Sequence, residues 1–474
     1  MRDPANQLAR TRSRAFDALN RLYRDIGAQN QITQYGYDAN GNLTTATDPL
    51  NHTVTRAYDA LDRLVRITDP AGGQTVMGYN GQDRVTQVTD ARSLVTGYTI
   101  DGLGNLTQLA SPDTGTTTQA FDAAGNRTSR TDARGQAATT QYDALNRPTQ
   151  VTYGDGRQET YTWDQGTNGL GRLSLIQESE GGNVTATIGY GYDAWGRIVS
   201  ETRTLAGQTY VTNYRYAAGR LTGITYPSGR SLDYALDGAG RIQAITLTDN
   251  GVVRTVASQI QYHPFGGVKS YVTAAGQTVS RSQDQDGRIA AYTLGSGLWQ
   301  VGYDTASRVT YATDAGNAAN TASYGYDSLD RLTGAILPAT NYGYGYDATG
   351  NRTSQTVGGT TYAYQVGATS NRLTGVGTSP PRSYTYDAAG NRTADGALQY
   401  GYDARGRLVQ AQGAADATQY RVDALGQRVR KTNAAGDTVY HYDREGHLIG
   451  ETAAAGQSLR DYLWLYDLPI GVLQ

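Results

Sequence analysis

The stretch Tyr37-Asp38-Ala39-Asn40-Gly41-Asn42-Leu43 decides the fold, because near-copies of it return along almost the whole chain. Its aromatic position recurs from residue 16 to 37, 58, 79 and onward at a constant interval of 21 residues. That column holds Phe16, Tyr37, Tyr58, Tyr79, Ile100, Phe121, Tyr142 and Trp163. A fixed period in the twenties indicates a repeat architecture rather than a single globular domain.

Two further columns of the repeat predict a tight turn. The residue after the aromatic is usually Asp, whose short acceptor side chain can bond backbone N–H groups two residues on and so open a turn. Three residues later comes Gly, Asn or Asp, the types that tolerate positive φ at least cost. We therefore expect turn-forming roles for Asp38, Asp59, Asp101, Asp122, Asp143, Asp193, Asp347 and Asp387, and for Gly41, Gly104, Gly125, Gly196, Gly350 and Gly390.

Each period also contains a second turn, seen as Thr47-Asp48-Pro49 and Thr68-Asp69-Pro70. Two turns in 21 residues leave room for two short strands, so the repeat reads as strand, turn, strand, turn. The segments Tyr35-Gly36-Tyr37 and Tyr344-Gly345-Tyr346 alternate with period two, which places both tyrosines of each segment on one face of a strand. The predicted fold class is all-β, a ribbon of repeated β-hairpins with almost no helix.

The composition agrees with a thin layer rather than a thick core. Of 474 residues, 37 are tyrosine and only 3 are phenylalanine, and hydrophobic residues make up 38%. Lys occurs only at 269 and 431, and Glu only at 159, 178, 180, 201, 445 and 451, while 59 glycines punctuate the chain. Straight-chain helix formers are therefore scarce. About forty strands at ~4.8 Å would give a sheet on the order of 190 Å wide.

Charge, cysteine and hydropathy exclude several classes of protein. The chain has 41 basic and 43 acidic residues, and the arginines stand close to the motif aspartates, so local pairing is expected rather than a nucleic-acid stripe. With no cysteine there is no disulfide framework and no thiolate metal site. No apolar run reaches the ~18 residues that a membrane span requires. Met1-Arg2-Asp3-Pro4 begins no signal peptide, so we expect export to depend on something outside this sequence.

The register of the repeat divides the chain. Residues 1–165 keep the 21-residue interval, residues 166–300 carry degenerate copies with longer loops, and residues 301–461 carry clear copies with variable loops. Residues 462–474 form the most hydrophobic segment.

No motif predicts a catalytic, metal or cofactor site. The aspartate columns supply oxygen ligands, but they lack a bidentate Glu, and turn geometry alone explains one Asp per turn. Dozens of equivalent Asp residues offer no privileged carboxylate pair for hydrolysis. His441 and His447 flank a repeat turn and are expected at the surface. Tyr35, Tyr37, Tyr344 and Tyr346 would stack on sugars if they faced outward; otherwise they pack between coils of the ribbon.

The YD-x-x-G-[NR]-L copies, interleaved with T-D-x-x-G turns, resemble the YD repeats of the RHS family, shared with teneurins and with the B and C shell components of insecticidal toxin complexes. The resemblance covers nearly the whole chain. It implies a long β-ribbon that spirals into a hollow shell around a C-terminal toxic domain. Tyr462 to Leu473 resembles the stretch leading into the RHS-associated core, whose aspartates would lie beyond Gln474, so self-cleavage is transferred to no residue here.

Two functions follow from this resemblance. The first is a non-enzymatic, partial shell segment that shields a cargo or toxin polypeptide, or that pairs with a second shell-forming chain. The alternative is a cell-surface or wall-associated adhesin that binds glycans through exposed tyrosines. The resemblance implies a secreted or cell-surface location. The charge pattern, the hydropathy and the motifs predict no nucleic acid, no membrane span and no cofactor.

Overall fold

The computed structural model describes residues 11–474 and confirms the all-β prediction, since these residues form β-strands and turns and no helix. No helix that could cross a membrane is therefore found in this part of the chain. The start, Met1-Arg2-Asp3-Pro4, on which the expectation about export depends, lies outside the described residues.

The described chain divides into two compact units. Unit 1 contains an early ribbon, residues 11–115, and a late ribbon, residues 279–384, together with residues 262–270. Unit 2 contains an early ribbon, residues 116–261, and a late ribbon, residues 385–474, together with residues 271–278. The sequence divided the chain into consecutive segments according to the spacing of the repeats. Each structural unit, in contrast, combines stretches that are distant in sequence.

The early ribbon of unit 1 consists of short strands. They are β1 (Ser13–Phe16), β2 (Leu22–Ile26), β3 (Ile32–Tyr37), β4 (Leu43–Thr47), β5 (Thr53–Tyr58), β6 (Leu64–Thr68), β7 (Gln74–Tyr79), β8 (Val85–Thr89), β9 (Val95–Ile100) and β10 (Leu106–Ser111).

The early ribbon of unit 2 contains longer strands towards its middle. They are β11 (Gly115–Phe121), β12 (Arg127–Thr131), β13 (Ala137–Tyr142), β14 (Pro148–Tyr153), β15 (Arg157–Trp163), β16 (Leu173–Glu180), β17 (Asn183–Tyr192), β18 (Ile198–Leu205), β19 (Gln208–Ala217), β20 (Arg220–Thr225), β21 (Ser231–Leu236), β22 (Ile242–Asp249) and β23 (Val252–Tyr262). The chain changes unit within β24 (Val268–Thr273) and β25 (Thr278–Gln283).

The two late ribbons complete the strand order. In unit 1 they are β26 (Ile289–Leu294), β27 (Gly297–Tyr303), β28 (Val309–Asp314), β29 (Asn317–Tyr326), β30 (Leu332–Ile336), β31 (Asn341–Tyr346), β32 (Arg352–Val357), β33 (Thr360–Val366), β34 (Leu373–Val376) and β35 (Arg382–Ser383). In unit 2 they are β36 (Thr385–Tyr386), β37 (Arg392–Ala394), β38 (Gln399–Tyr402), β39 (Leu408–Gln412), β40 (Ala417–Val422), β41 (Arg428–Asn433), β42 (Gly436–Tyr442), β43 (Leu448–Ala453), β44 (Ser458–Leu465) and β45 (Leu468–Leu473).

Within each ribbon, strands that follow one another pair antiparallel. In the hairpin β3–β4, Tyr35 lies opposite Ala46, and the register shifts between Gly36 and Tyr37 so that Tyr37 lies opposite Leu43. The same shift recurs one repeat later, between Ala57 and Tyr58 in β5–β6. A shift at a fixed position in each repeat is a β-bulge, which bends the ribbon in the same sense at each turn.

Buried apolar side chains are concentrated in one unit. Among residues 11–474, 25 hydrophobic residues are buried, and 21 of them belong to unit 2. Leu232, Ile245 and Leu465 there are fully enclosed. The thin aromatic layer expected from composition therefore describes unit 1, while unit 2 has an aliphatic core.

Candidate functional site: the repeat turns and the seam between ribbons

The turn after each aromatic–Asp pair, called here the YD turn, is built around the Asp carboxylate. In the turn of β3–β4, the backbone N–H groups of Asp38 and Gly41 donate to the carbonyls of Asn42 and Asp38, at 3.1 and 3.2 Å. The N–H of Asn42 donates to Asp38 Oδ1 at 2.8 Å, and its side-chain amide donates to Oδ2 at 3.1 Å. Gly41 has φ of +93°, so the loop is a type I turn closed by a bulged residue in the left-handed region.

The same geometry recurs along both units. The carboxylate accepts the N–H four residues on at 2.8–3.1 Å for Asp38, Asp59, Asp101, Asp122, Asp143, Asp193, Asp347 and Asp387. The left-handed residue is Gly41, Gly104, Gly125, Gly196, Gly350 or Gly390, with φ of +79° to +93°. Asn20, Asp62, Asp83 and Asn146 fill the same column with φ near +60°. We propose that these residues determine the turn rather than bind a ligand.

Arginine links one YD turn to the next. Arg63 donates to Asp59 Oδ2 in its own turn at 2.8 Å and to Asp83 Oδ1 in the following turn at 2.9 Å. The hydrogen bond from Arg63 holds the pKa of Asp59 below its usual value. Asp101 is also lowered in pKa, mainly by the side-chain amide of Asn105. The turns therefore prefer ionised carboxylates.

The motif tyrosine is a second link between neighbouring repeats. The hydroxyl of Tyr37 donates to the carbonyl of Leu22 at 2.8 Å, and the guanidinium of Arg21 lies 4.7 Å from the centre of its ring. Tyr346 does the same with Leu332 and Arg331, at 2.7 and 4.8 Å. Each ring therefore packs between successive hairpins of one ribbon, with its hydroxyl satisfied and one face covered by a cation.

The tyrosines two residues upstream have a different setting. Tyr344 lies 6.5 Å from Tyr342, with the two rings 4° from parallel, and Arg352 lies 5.8 Å from the ring of Tyr344. Tyr35 is half-buried and lies opposite Ala46. Stacking of sugars on Tyr35, Tyr37, Tyr344 or Tyr346 stays a prediction.

In unit 1, the late ribbon lies edge to edge beside the early ribbon. We call these contacts the seam: YD turns of the late ribbon bond second turns of the early one. Arg92 donates to the carbonyls of Ser370 and Gly367, both at 2.8 Å, and to Asn371 Oδ1 at 2.9 Å. The N–H of Asn371 donates to Asp113 Oδ1 at 2.6 Å. Residues nearly 280 positions apart are joined here by charge-assisted hydrogen bonds.

The seam of unit 1 also brings three potential ligand atoms together. One atom each from Asp48, His52 and Asp330 lies within 4.8 Å of the others. However, Asp48 Oδ1 accepts the N–H groups of Leu50 and His52 at 2.9 and 2.8 Å, and its Oδ2 lies 3.1 Å from His52 Nδ1. The Asp48 carboxylate and His52 are thus engaged within their own turn, and Asp330 Oδ1 accepts a hydrogen bond from Arg308 at 3.0 Å.

In unit 2 the seam reaches beyond the turns onto the strands. Arg134, in a second turn, donates to the carbonyl of Asp403 at 3.0 Å. Further along, Arg203 of β18 donates to Asp423 Oδ2 and to Gln427 Oε1, both at 2.7 Å. Asp423 is 2% exposed, and burial raises its pKa despite the arginine. These buried charges are held by partners from the other ribbon of the same unit.

Sequence reasoning missed this seam, although one signal was present. Of the six glutamates in the chain, Glu159, Glu178 and Glu201 are buried. Glu159 pairs with Arg405 at 2.9 Å and Glu178 with Arg421 at 2.8 Å. Glutamate is rare in this chain. A glutamate at a strand position that is otherwise apolar indicates that an arginine from a distant part of the chain pairs with it.

A polar cleft of about 310 Å³ lies beside these pairs, lined by Tyr153, Glu159, Glu178, Arg405 and Arg421 among others. Both carboxylates are engaged by arginine, and Glu159 Oε2 also accepts the hydroxyl of Tyr161 at 2.8 Å. Burial raises the pKa of Tyr153 and of Tyr161, so both phenols stay protonated. The cleft offers no free carboxylate pair within its charged lining.

The prediction that both histidines of the last full repeat lie at the surface is wrong for His441. It is 3% exposed, its Nε2 lies 3.0 Å from Thr452 Oγ1, and its ring centre lies 4.5 Å from that of Tyr210. Burial lowers the pKa of His441 to about 3, so the ring is neutral. The side chain of His441 lies on the strand face that packs against another ribbon. It is therefore buried, although a surface turn follows directly in the sequence.

Family models match most of the chain. The RHS repeat model matches residues 16–53, 37–74, 58–95, 79–117, 101–137, 121–158 and 215–252, and the teneurin YD-shell model matches residues 297–460. This chain belongs to the RHS/YD-repeat family. No curated protein matches it.

Solved structures share the fold of this RHS/YD-repeat chain. The Photorhabdus luminescens Tc holotoxin pore matches at 16% identity and a TM-score of 0.77, and TcdB2-TccC3 matches at 17% and 0.78. Each match covers 96% of this chain but only 30% and 31% of the other, so the chain spans less than a third of their length. The likeness confirms the predicted YD-shell fold class.

Proposed function

We propose that this chain is a structural wall segment of an RHS-type shell and that the shell shields a polypeptide cargo. The seam is the observation that supports it. Ribbons far apart in sequence are joined edge to edge in each unit, by Arg92 in one and Arg134 in the other. Contacts of this kind make a continuous wall out of hairpins that are each too small to be stable alone.

The wall performs no chemistry of its own in this proposal. Many of its carboxylates have structural partners: turn carboxylates such as Asp59 are bonded to backbone and arginine, and buried carboxylates such as Glu159 are paired across the seam. The fold and the family are those of shell repeats.

Protection from protease tests this function. The protein is isolated from its own source together with any polypeptide that it retains, and the digestion rate of that polypeptide is compared before and after denaturation and removal of the shell. A cargo should be cut at least tenfold more slowly inside. Equal rates in both states would contradict shielding.

A matched pair of variants sharpens the assay. Arg92→Met with Arg134→Met removes hydrogen bonds of both seams and should speed digestion of the retained polypeptide. Arg66→Met, on a strand of the early ribbon of unit 1, keeps the seam and should leave the rate unchanged.

The alternative of a glycan-binding adhesin has its own test. Tyr37→Ala and Tyr346→Ala should weaken binding to a glycan array without unfolding if these rings stack on sugars. Since both rings also link neighbouring hairpins, a melting measurement must accompany each variant. If the unmodified chain binds no glycan on the array, the adhesin alternative is excluded.

A further inference from the structure

The tips of the YD turns in the early ribbon of unit 1 carry a regular row of exposed leucines. The residue two positions after the turn aspartate is Leu19, Leu61 or Leu103 in every second repeat, and these side chains are 67–78% exposed. The repeats between them place Asn40 and Gln82 in the same column. The turn itself therefore does not require an apolar tip, and the leucines need another explanation.

In the late ribbon of the same unit, that tip column is covered. Leu329 there is only half-buried rather than exposed, and its neighbour Asp330 meets the second turn that contains Asp48 and His52. A YD edge that meets a second-turn edge in the seam thus buries its tips. The early ribbon presents the same kind of edge with nothing on it among the described residues.

The opposite edge of unit 1 is apolar and exposed as well. In the late ribbon, Leu294 and Ile336 are the last residues of β26 and β30, and each is followed by a second turn. Their side chains are 61% and 58% exposed. The early ribbon places Thr47 and Thr68 in the corresponding position, at the ends of β4 and β6. Among its described residues, unit 1 therefore leaves one YD edge and one second-turn edge uncovered, and these are the two halves of a seam.

The spacing of the apolar residues on the two free edges agrees. Four strands separate Leu19 from Leu61 and Leu61 from Leu103, and four strands separate Leu294 from Ile336. At ~4.8 Å per strand, each of these three separations is about 19 Å. Leucines on one edge can therefore meet Leu294 and Ile336 on another copy in a single register.

We propose that copies of this chain associate head to tail, with the leucine edge of unit 1 in one copy seated on the second-turn edge of unit 1 in the next. The contact repeats between molecules the seam that the unit already makes within itself. Such an interface is heterologous, so a dimer still has one free edge of each kind, one on each copy, and the stack can grow. This inference goes beyond the proposed shielding and does not depend on any cargo.

Sedimentation of the full chain tests the association. From about 1 to 100 µM, the weight-average mass of the unmodified chain should rise above 50.8 kDa. One variant removes the leucine edge and carries Leu19→Asn, Leu61→Asn and Leu103→Asn. The other removes the second-turn edge and carries Leu294→Thr and Ile336→Thr. Each new residue is one that the repeat already uses in that column. Each variant alone should remain a monomer.

Mixing the two variants gives the decisive measurement. Each retains the edge that the other lacks, so an equimolar mixture should form a dimer and nothing larger. Val76→Thr, an exposed apolar position on a strand of the same ribbon, should leave the association of the chain unchanged. A monomeric unmodified chain, or a mixture that stays monomeric, would overturn the proposal.

A cross-link keeps the test valid if a multiple variant loses its fold. Because the chain contains no cysteine, Leu61→Cys in one preparation and Ile336→Cys in another provide one thiol each. Mild oxidation of the mixture should yield the mixed disulfide dimer in at least tenfold excess over a mixture with Val76→Cys. An equal yield from the two mixtures would also overturn head-to-tail association.

Discussion

Unit 1 and unit 2 are built from the same repeat but are stabilised in different ways. Among the described residues of unit 1, the buried hydrophobic ones are Val268, Ala322, Ala335 and Val376, which are few and mostly small. Unit 2 encloses aliphatic side chains such as Leu232 and buries charges such as Asp423. A repeated turn is therefore sufficient to form the ribbon, but it does not decide how thick the layer becomes.

The difference begins with strand length. Strands of the early ribbon in unit 1 have four to six residues, while β17 and β19 have ten and β23 has eleven. Longer strands let the late ribbon of unit 2 cover a sheet face as well as an edge, and Ala186, Leu205 and Val439 meet there. Coverage of a face buries apolar area, whereas an edge contact exchanges hydrogen bonds.

The largest contrast is expected at the arginines. Arg203→Met should destabilise the chain by about 3 to 5 kcal/mol, because it leaves Asp423 and Glu201 buried without their cation. Arg63→Met, which breaks the partly exposed pair with Asp59 in unit 1, should cost less than about 1 kcal/mol. Urea titration with peptide-resolved hydrogen exchange measures both, and equal losses would contradict the comparison.

Truncation of leucine tests the two kinds of layer directly. Leu232→Ala, at a fully buried position of unit 2, should cost about 2 to 5 kcal/mol through lost burial and a cavity. Leu43→Ala, at a half-buried position of unit 1, should cost about 1 kcal/mol. If the same urea titration gave the larger loss for Leu43→Ala, unit 1 would contain a core that its burial pattern does not show.

The turn glycines should behave alike in both units. Gly41→Val in unit 1 and Gly125→Val in unit 2 should each lower the free energy of unfolding by about 1 to 3 kcal/mol, since a β-branched residue is forced to positive φ. An added Cβ meets no atom within 4 Å at either position, so no clash of the Cβ adds to the backbone strain. Gly81→Ala, at a turn glycine outside the positive-φ set, is the control. Unchanged thermal melting in both Val variants would refute the turn assignment.

The smallest effect is expected from pH. His447 takes the place that Arg63 has in another YD turn, with Nδ1 2.9 Å from Asp443 Oδ2 and Nε2 3.2 Å from Asp467 Oδ1, and its ring stacks on Trp464 at 4.5 Å. Burial lowers the pKa of His447, but the two carboxylates outweigh it and leave the pKa above the ordinary value. The stabilisation is therefore complete below pH of about 6.5 and is lost as pH rises through the raised pKa.

Hydrogen exchange of the hairpin β44–β45 measures this pH dependence. The unmodified chain should lose less than about 1 kcal/mol of protection between pH 6 and pH 8. His447→Arg restores the usual residue of the column and should remove the dependence. A variant that keeps the same pH profile would show that His447 is not the titrating group.

The all-β class and the hairpin repeat could be read from the sequence because the evidence for them is local. Asp38 and Gly41 act within one turn, and the same columns return every 21 residues. The burial of His441 could not be read in this way, since its ring packs on Tyr210 of β19, more than 200 residues away in sequence. Tyr37 packs against the preceding hairpin of its own ribbon, and its packing between coils stays a prediction.

By itself the sequence determined the unit of construction, because turn formation depends on side chains that reach only a few residues along the chain. Asp59 and Arg63 show this, four residues apart and bonded to each other. Only the tertiary structure decided which ribbon edges meet and where a core forms. Pairings such as Arg203 with Asp423 join residues 220 positions apart. Such pairings depend on how much the ribbon bends over many hairpins, and a local sequence pattern does not determine that sum.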